Sequence, residues 1–176
     1  MRHRHALQRF RCTAEDLKME VSLVGVTPTH PAMWEWQVQE SIKGLRVPLK
    51  RRWLSRIGLT DDGRAGAFQL TQEIDRGVHY DLVYGAVAID LQGRGLHIGD
   101  EMIADTLDVI TTRCVALGVT DDVLLTTKVH RENRNSQKMC HRNGFRNQGS
   151  LNDDEYDDWQ RLLVVAQPHD TPESVD

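Results

Sequence analysis

The stretch from Tyr80 to Gly118 constrains the fold more than any other part of the chain. An apolar run, Tyr80–Asp90 (Tyr-Asp-Leu-Val-Tyr-Gly-Ala-Val-Ala-Ile-Asp), leads into a glycine loop at residues 92–99. A helical pattern follows, with Ile103, Leu107, Ile110, Cys114 and Leu117 at spacings of 4, 3, 4 and 3. That spacing predicts one buried helix stripe, and Gly118 offers a natural stop. The amides of a helix's first turn have no internal partners, and the helix dipole adds partial positive charge there. Glycines bring those amides to a ligand without an intervening Cβ. Strand, glycine loop and helix in this order make a seat for a phosphate or pyrophosphate. A turn serving only the path of the chain fits the same residues.

The remaining patterns surround this unit. Val21–Val26 reads as a short strand, and Ala32–Leu45 as a helix with Trp34, Val38 and Ile42 on one side and Gly44 at its end. Arg52–Leu59 and Ala65–Ile74 flank Thr60-Asp61-Asp62-Gly63-Arg64, a hairpin signal. Val123–Val129 reads as a buried strand, Asn133–Asn143 as a helix ending at Gly144, and Phe145–Gly149 and Trp159–Ala166 as two strands around an acidic loop. Residues 1–20 carry no clear pattern. The order predicts a mixed sheet with helices on its faces.

A chain of 176 residues suits a single domain. With 39% hydrophobic and 27% charged residues it reads as soluble and globular. No apolar stretch approaches the ~20 residues needed to cross a bilayer, and the basic start lacks the apolar block of a secretory signal. Cys12, Cys114 and Cys140 are an odd, widely spaced set, which suits a reducing cytoplasm. The net charge of −4 does not favour general nucleic-acid binding. Charge is unevenly spread: residues 1–64 carry 12 Lys/Arg against 7 Asp/Glu, and the other 112 carry 10 against 19. Within that acidic part lies a basic cluster, Lys128, Arg131, Arg134, Lys138, Arg142 and Arg146. It is either a solvated helix face or a place for an anionic ligand.

Two phosphate-binding readings fit the loop. Gly93, Gly95 and Gly99 spell a variant dinucleotide fingerprint, which requires a doubly wound domain and an acidic residue ~20 positions on. Asp121 and Asp122 lie a little beyond that point, and the 77 residues after Gly99 end in a hairpin pattern. The second reading rests on two motifs. Gln92-Gly93-Arg94-Gly95-Leu96-His97 matches R/Q-x-x-G-x-G/A except at His97, and Asn133, Ser136, Cys140, Gly144 and Phe145 match N-x-x-A/S-x-x-x-Y-x-x-x-G-F except at Cys140. These motifs, 40 residues apart across one helix and one strand, resemble those of the GNAT acyltransferase superfamily.

The resemblance covers residues 50–166, which it implies are an acyl-coenzyme A-binding core; residues 1–49 would be the variable first part of the same domain and 167–176 a flexible tail. It implies an α/β (α+β) fold with a mixed, mostly antiparallel sheet, splayed central strands and flanking helices. Acetyl-coenzyme A would lie in the splay as acyl donor, with no metal. Its pantetheine arm would pair with the strand through Ala88 and Ile89, and its pyrophosphate would sit on Gln92, Gly93, Arg94, Gly95, Leu96, His97, Ile98 and Gly99. Asn133 and Ser136 would touch the arm, although Asn133 also reads as a helix N-cap. His97 either weakens the loop, contacts phosphate or adenine, or points outward.

The implied activity is transfer of an acetyl group to a primary amine of a small molecule or protein within a ternary complex. Cys140 stands where the family's Tyr would protonate the leaving thiolate, but a thiol is shorter and a weaker donor, and the position reads more readily as a small buried hydrophobe. Glu73, Asp90, His79 and His130 are candidates for a general base. Cys140, His141 and His130 match no metal-ligand spacing. The departures at His97 and Cys140 keep open a catalytically silent module that binds acyl-coenzyme A. The basic first part keeps open an acetyltransferase acting on aminoacyl-tRNA. Asp153, Asp154, Glu155, Asp157 and Asp158 around Tyr156 are either a solvated tip or an acidic rim for a cationic acceptor, and Trp34, Trp36 and Trp53 either core residues or an aromatic wall. A homodimer is compatible with the resemblance.

Overall fold

A computed structural model describes residues 2–46, 49, 51–150 and 155–165. The expected tail 167–176, together with Asp153, Asp154 and Ala166, lies outside the described residues. Four α-helices and eight strands follow in the order α1 (Arg2–Gln8), β1 (Lys18–Ser22), β2 (Gly25–Thr29), α2 (Met33–Lys43), β3 (Trp53–Leu59), β4 (Ala65–Asp75), β5 (His79–Val87), α3 (Ile98–Ala116), β6 (Val123–His130), α4 (Arg134–Arg142), β7 (Arg146–Asn147) and β8 (Tyr156–Leu163). The main sheet runs β3-β4-β5-β6-β8-β7 and is antiparallel except between β5 and β6. One parallel contact in an antiparallel sheet excludes the doubly wound domain that a dinucleotide fingerprint needs.

Alternation along β4 separates two apolar layers. Phe68 and Leu70 pack with Leu7, Phe10 and Ile42, which come from α1, the segment after it and α2. On the other side, Ile103, Ile110 and Cys114 of α3 and Cys140 of α4 pack with Tyr80, Leu82, Val123 and Leu125. Glu73 of β4 reaches Arg113 of α3 on that side. The hairpin expected around Asp62-Gly63 forms, with Gly63 at φ 79° and its N–H on the Thr60 carbonyl. α3 ends as its sequence implies. Gly118 takes φ 68°, the Gly118 N–H meets the Val115 carbonyl, and the Val119 N–H meets that of Cys114. This double closure needs the left-handed conformation that glycine adopts without penalty.

Several boundaries differ from the sequence reading. Val21–Val26 is the turn region of a separate two-stranded ribbon, in which Val21 pairs with Val26. The central strand stops at Val87 instead of Asp90, because the Ala88 N–H turns to the Gly66 carbonyl and the Ile89 N–H to that of Arg11. Ile89–Leu91 then forms one 3₁₀ turn. The strand expected at Phe145–Gly149 shrinks to two residues, and β8 begins at Tyr156, three residues before Trp159. α1 carried no sequence signal; its seven residues are placed by Leu7 against the sheet.

Ile42 is fully buried and fastens α2 to the sheet. Ile42→Ala is expected to lower unfolding free energy by about 2–5 kcal/mol, the range for a large-to-small change in a packed core. Urea unfolding measures it, and a loss below about 1 kcal/mol would mean that α2 is not anchored there.

Candidate functional site

β5 and β6 pair only over His79–Asp81 against Leu124–Thr126. Just beyond, Leu82 of β5 faces Thr71 and Tyr84 faces Leu70, so Val83 is an extra residue on β5. Such a bulge bends and twists its strand. The two strands part at this point, and the last tie between them among the described residues is Thr127 Oγ1 donating to the Leu82 carbonyl at 2.8 Å. Past that tie, the β6-facing edge of β5 borders a gap.

A cavity of about 460 Å³ occupies the gap. That volume is in the range of small-molecule sites. Gly85, Ala86 and Val87 of β5 form one wall, and Met102 of α3 with Ser136 and Met139 of α4 form another. Cys12 and three α2 residues, Trp34, Glu35 and Val38, close the far end. Because α2 and α3 lie on opposite faces of the sheet, the cavity passes through the sheet rather than resting on one side. Gly99 lets α4 come close: a Cβ there would stand 2.6 Å from Met139 Sδ.

The loop at residues 92–99 forms the near end. Gly93 and Gly95 take φ 70° and 69°, and a Cβ at either would meet nothing within 4 Å. Among the described residues, the amides of residues 93–99 donate no backbone hydrogen bond. Bare amides and open space beside the glycines fit a diphosphate. His97 takes φ 50°, the left-handed region. That region favours Gly, and His is among the other residues that tolerate it best.

Asp100 ties the loop to α4. It meets His97 Nδ1 at 2.9 Å and accepts from Arg142 Nη2 at 2.9 Å and from Asn143 Nδ2 at 2.6 Å. Burial pushes its carboxyl up, but the hydrogen bonds from His97, Arg142 and Asn143 and the Arg142 charge outweigh that and hold it below the usual carboxylate range. The cavity is also electrically polarised. Arg94, Lys138 and Arg142 line the loop end, and Glu35 lines the other end. Burial raises the Glu35 carboxyl, partly offset by His30.

The residues expected from sequence divide into two groups. Gln92, Gly93, Arg94, Gly95, Leu96, His97, Ile98 and Gly99 line the cavity, as do Asn133 and Ser136. Asn133 is the N-cap of α4, its Oδ1 accepting from the Ser136 N–H at 3.1 Å. Gln92 buttresses the loop, its Nε2 donating to the Cys12 and Val87 carbonyls at 2.8 Å each. Ala88 and Ile89 lie off the cavity wall, and their amides are engaged elsewhere.

None of the five candidate catalytic side chains, Cys140, Glu73, Asp90, His79 and His130, lines the cavity. Glu73 is held by Arg113 at 2.7 Å and by the Gly77 N–H at 3.1 Å; burial raises its carboxyl, but those bonds and the Arg113 charge bring it below the usual range. Asp90 faces Arg64 at 3.1 Å. Cys140 turns into the α3–α4 core, where burial pushes its thiol up to about 12. His79 meets Thr126 Oγ1 at 3.1 Å, also away from the wall. His130 stacks on Trp34 with ring centroids 4.0 Å apart, and Tyr156 packs edge-on against it. The sequence pointed to neither Glu35 nor Met102, and it marked Cys12 and Val38 only as a thiol and as part of a helix stripe. Val38 shares the Trp34 helix face, whereas Glu35 carried no pattern of its own.

Two predictions follow from this geometry. His97→Gly relieves about 1 kcal/mol of left-handed strain but gives up the bond to Asp100, whereas His97→Val gives up the bond and keeps the strain. Urea unfolding should place the Gly variant above the Val variant, and the reverse order would remove the strain argument. Asp100→Asn should cost about 1–3 kcal/mol at neutral pH, since it removes charge-assisted bonds. A carboxyl held low in the folded state contributes above its unfolded pKa and stops contributing as pH falls through its folded value. The gap between wild type and variant should therefore close in acid, and a gap independent of pH would contradict it.

No protein-family model matches the chain, and no curated protein matches its sequence. Solved structures do match. The PaiA N-acetyltransferase of Thermoplasma acidophilum, in complex with coenzyme A, is 13% identical with a TM-score of 0.52, covering 75% of this chain and 73% of its own. Nourseothricin acetyltransferase is 15% identical with a TM-score of 0.52, covering 90% and 91%. A protein of Desulfovibrio desulfuricans assigned as a GNAT-family acetyltransferase is 17% identical with a TM-score of 0.52, covering 86% and 99%. The chain has the fold of the GNAT acetyltransferases.

Proposed function

We propose that the chain is an N-acetyltransferase that moves an acetyl group from acetyl-coenzyme A to a primary amine, both substrates being bound together. One observation carries this reading: a single cavity through the parted strands has bare amides and cations at one end and a carboxylate at the other. The acetyltransferase fold of the neighbours, one of them crystallised with coenzyme A, supports it.

In this reading the amides of residues 93–99 hold the diphosphate, with Arg94, Lys138 and Arg142 adding positive charge. Asn133 spends its Oδ1 on the α4 cap and keeps its Nδ2 for the arm, and Ser136 offers its hydroxyl. When bound, the thioester supplies an activated acyl carbon. The unpaired edge of β5 around Gly85–Val87 offers N–H groups to the charge that grows on an acyl oxygen. The walls hold donor and acceptor together and keep water out, which accounts for much of the acceleration. Cys140 does not protonate a leaving sulfur, being buried away from the cavity with its thiol raised to about 12.

The same placement of Cys140 favours a second reading, a silent module that binds acyl-coenzyme A without turning it over. Incubation with acetyl-coenzyme A and a panel of primary amines, read by thiol release, separates the two. Release that depends on the amine supports the enzyme. Thermal stabilisation by coenzyme A without release supports the module. Gly95→Val should abolish that stabilisation while the chain stays folded by circular dichroism, because a branched side chain fills the space beside the amides. A folded variant that keeps the full shift would displace the diphosphate from the loop.

A further inference from the structure

Among the described residues, Glu35 is the one acidic side chain on the cavity wall. It stands in the first turn of α2, half-buried, and among the described residues its carboxylate has neither a hydrogen bond nor an ion pair. A carboxylate withdrawn from water is usually paired. Glu35 is instead left facing the space that the loop amides open onto. The neighbouring groups are spoken for. Cys12, beside it, has its thiol raised to about 12 by burial first and by Glu35 second, and it points to the Glu35 carbonyl at 3.7 Å. His30 uses Nδ1 to accept the Ala32 N–H at 2.9 Å, and its Nε2 lies 3.1 Å from the Glu15 carbonyl and 3.2 Å from Thr13 Oγ1. Gly85, Ala86 and Val87 bring no titratable group from β5, and Arg94, Lys138 and Arg142 line the loop end of the cavity.

We propose that Glu35 is the general base of the reaction and the group that selects a cationic primary amine as its acceptor. The proposal rests on the acetyltransferase reading above. The acceptor arrives as an ammonium, whose charge the Glu35 carboxylate balances at the end of the cavity away from the phosphates. Glu35 takes one proton and leaves a lone pair on nitrogen. A carbon–nitrogen bond then forms at the acyl carbon as the carbon–sulfur bond breaks. The second nitrogen proton ends on the departing sulfur, and Glu35 returns its proton to water. Burial helps, because a carboxyl that burial has raised is a stronger base toward an ammonium. Trp34 and Val38 beside Glu35 narrow the end and favour a slender, unbranched amine over a bulky one.

The test uses the intact chain with putrescine, lysine and butylamine as acceptors and tert-butylamine as the bulky control. Thiol release from acetyl-coenzyme A is followed from acid to alkaline pH, and coenzyme A affinity is followed separately by thermal shift. Glu35→Gln should lower amine-dependent kcat/KM by about 10²–10⁴-fold, the usual contribution of a general base. It should also erase the rise of rate with pH that deprotonation of Glu35 produces, and leave the coenzyme A shift unchanged. Glu35→Asp should restore part of the rate and the pH limb. A Gln variant with wild-type rate and an intact limb would overturn the role of Glu35 and leave the acetyltransferase reading standing. Wild-type protein that binds coenzyme A yet releases thiol with no amine would overturn both.

Discussion

β5 and β6 share three residue pairs and then separate, and the separation creates the space on which every feature of the site depends. A fully paired β5 would satisfy its edge with β6 and leave no passage through the sheet. The extra residue Val83 provides the local cause, because a bulge turns the strand at the place where pairing ends. The departing strand then has to reverse into α3, and the glycine loop supplies that reversal with its amides left over. The same event that opens the sheet therefore exposes the donors at the rim of the opening.

The chain stabilises this open arrangement from outside the gap. α1, α2 and the segment between them pack Leu7, Phe10 and Ile42 under β4, so the half of the sheet carrying β5 is backed by its own core. α3 and α4 back the half carrying β6 through Ile110, Cys114 and Cys140. Asp100 joins the loop to α4 across the near end of the cavity. The two apolar layers hold the strands apart much as two hands hold a book open, and the cavity is the space between the pages.

Much of this was legible in the sequence. The 4, 3, 4, 3 stripe marked α3, Gly118 marked its end, and the paired motifs at residues 92–97 and 133–145 marked the near end of the cavity. Those signals are local: periodicity, turn chemistry and caps act within a few residues. The far end was legible only in part: Trp34 and Val38 stood out as a helix stripe, but that Glu35 and Cys12 join them on the cavity wall follows from tertiary packing alone. Cys140 shows the same limit in reverse. Its motif position suggested chemistry, but a helix face is assigned by what packs on it, and α4 turns that face to the core. The end of β5 was misplaced by three residues because the Ala88 and Ile89 amides find partners in Gly66 and Arg11, which no periodicity reveals.

The most direct measurement of the central claim is a titration of ¹⁵N-labelled protein with coenzyme A, followed by amide shifts. If the loop holds the diphosphate, the largest changes fall on the amides of residues 93–99 and at the start of α4, moving downfield as N–H groups gain an anionic acceptor. Saturable binding that leaves those amides unmoved, or that concentrates its changes on another face, would contradict it.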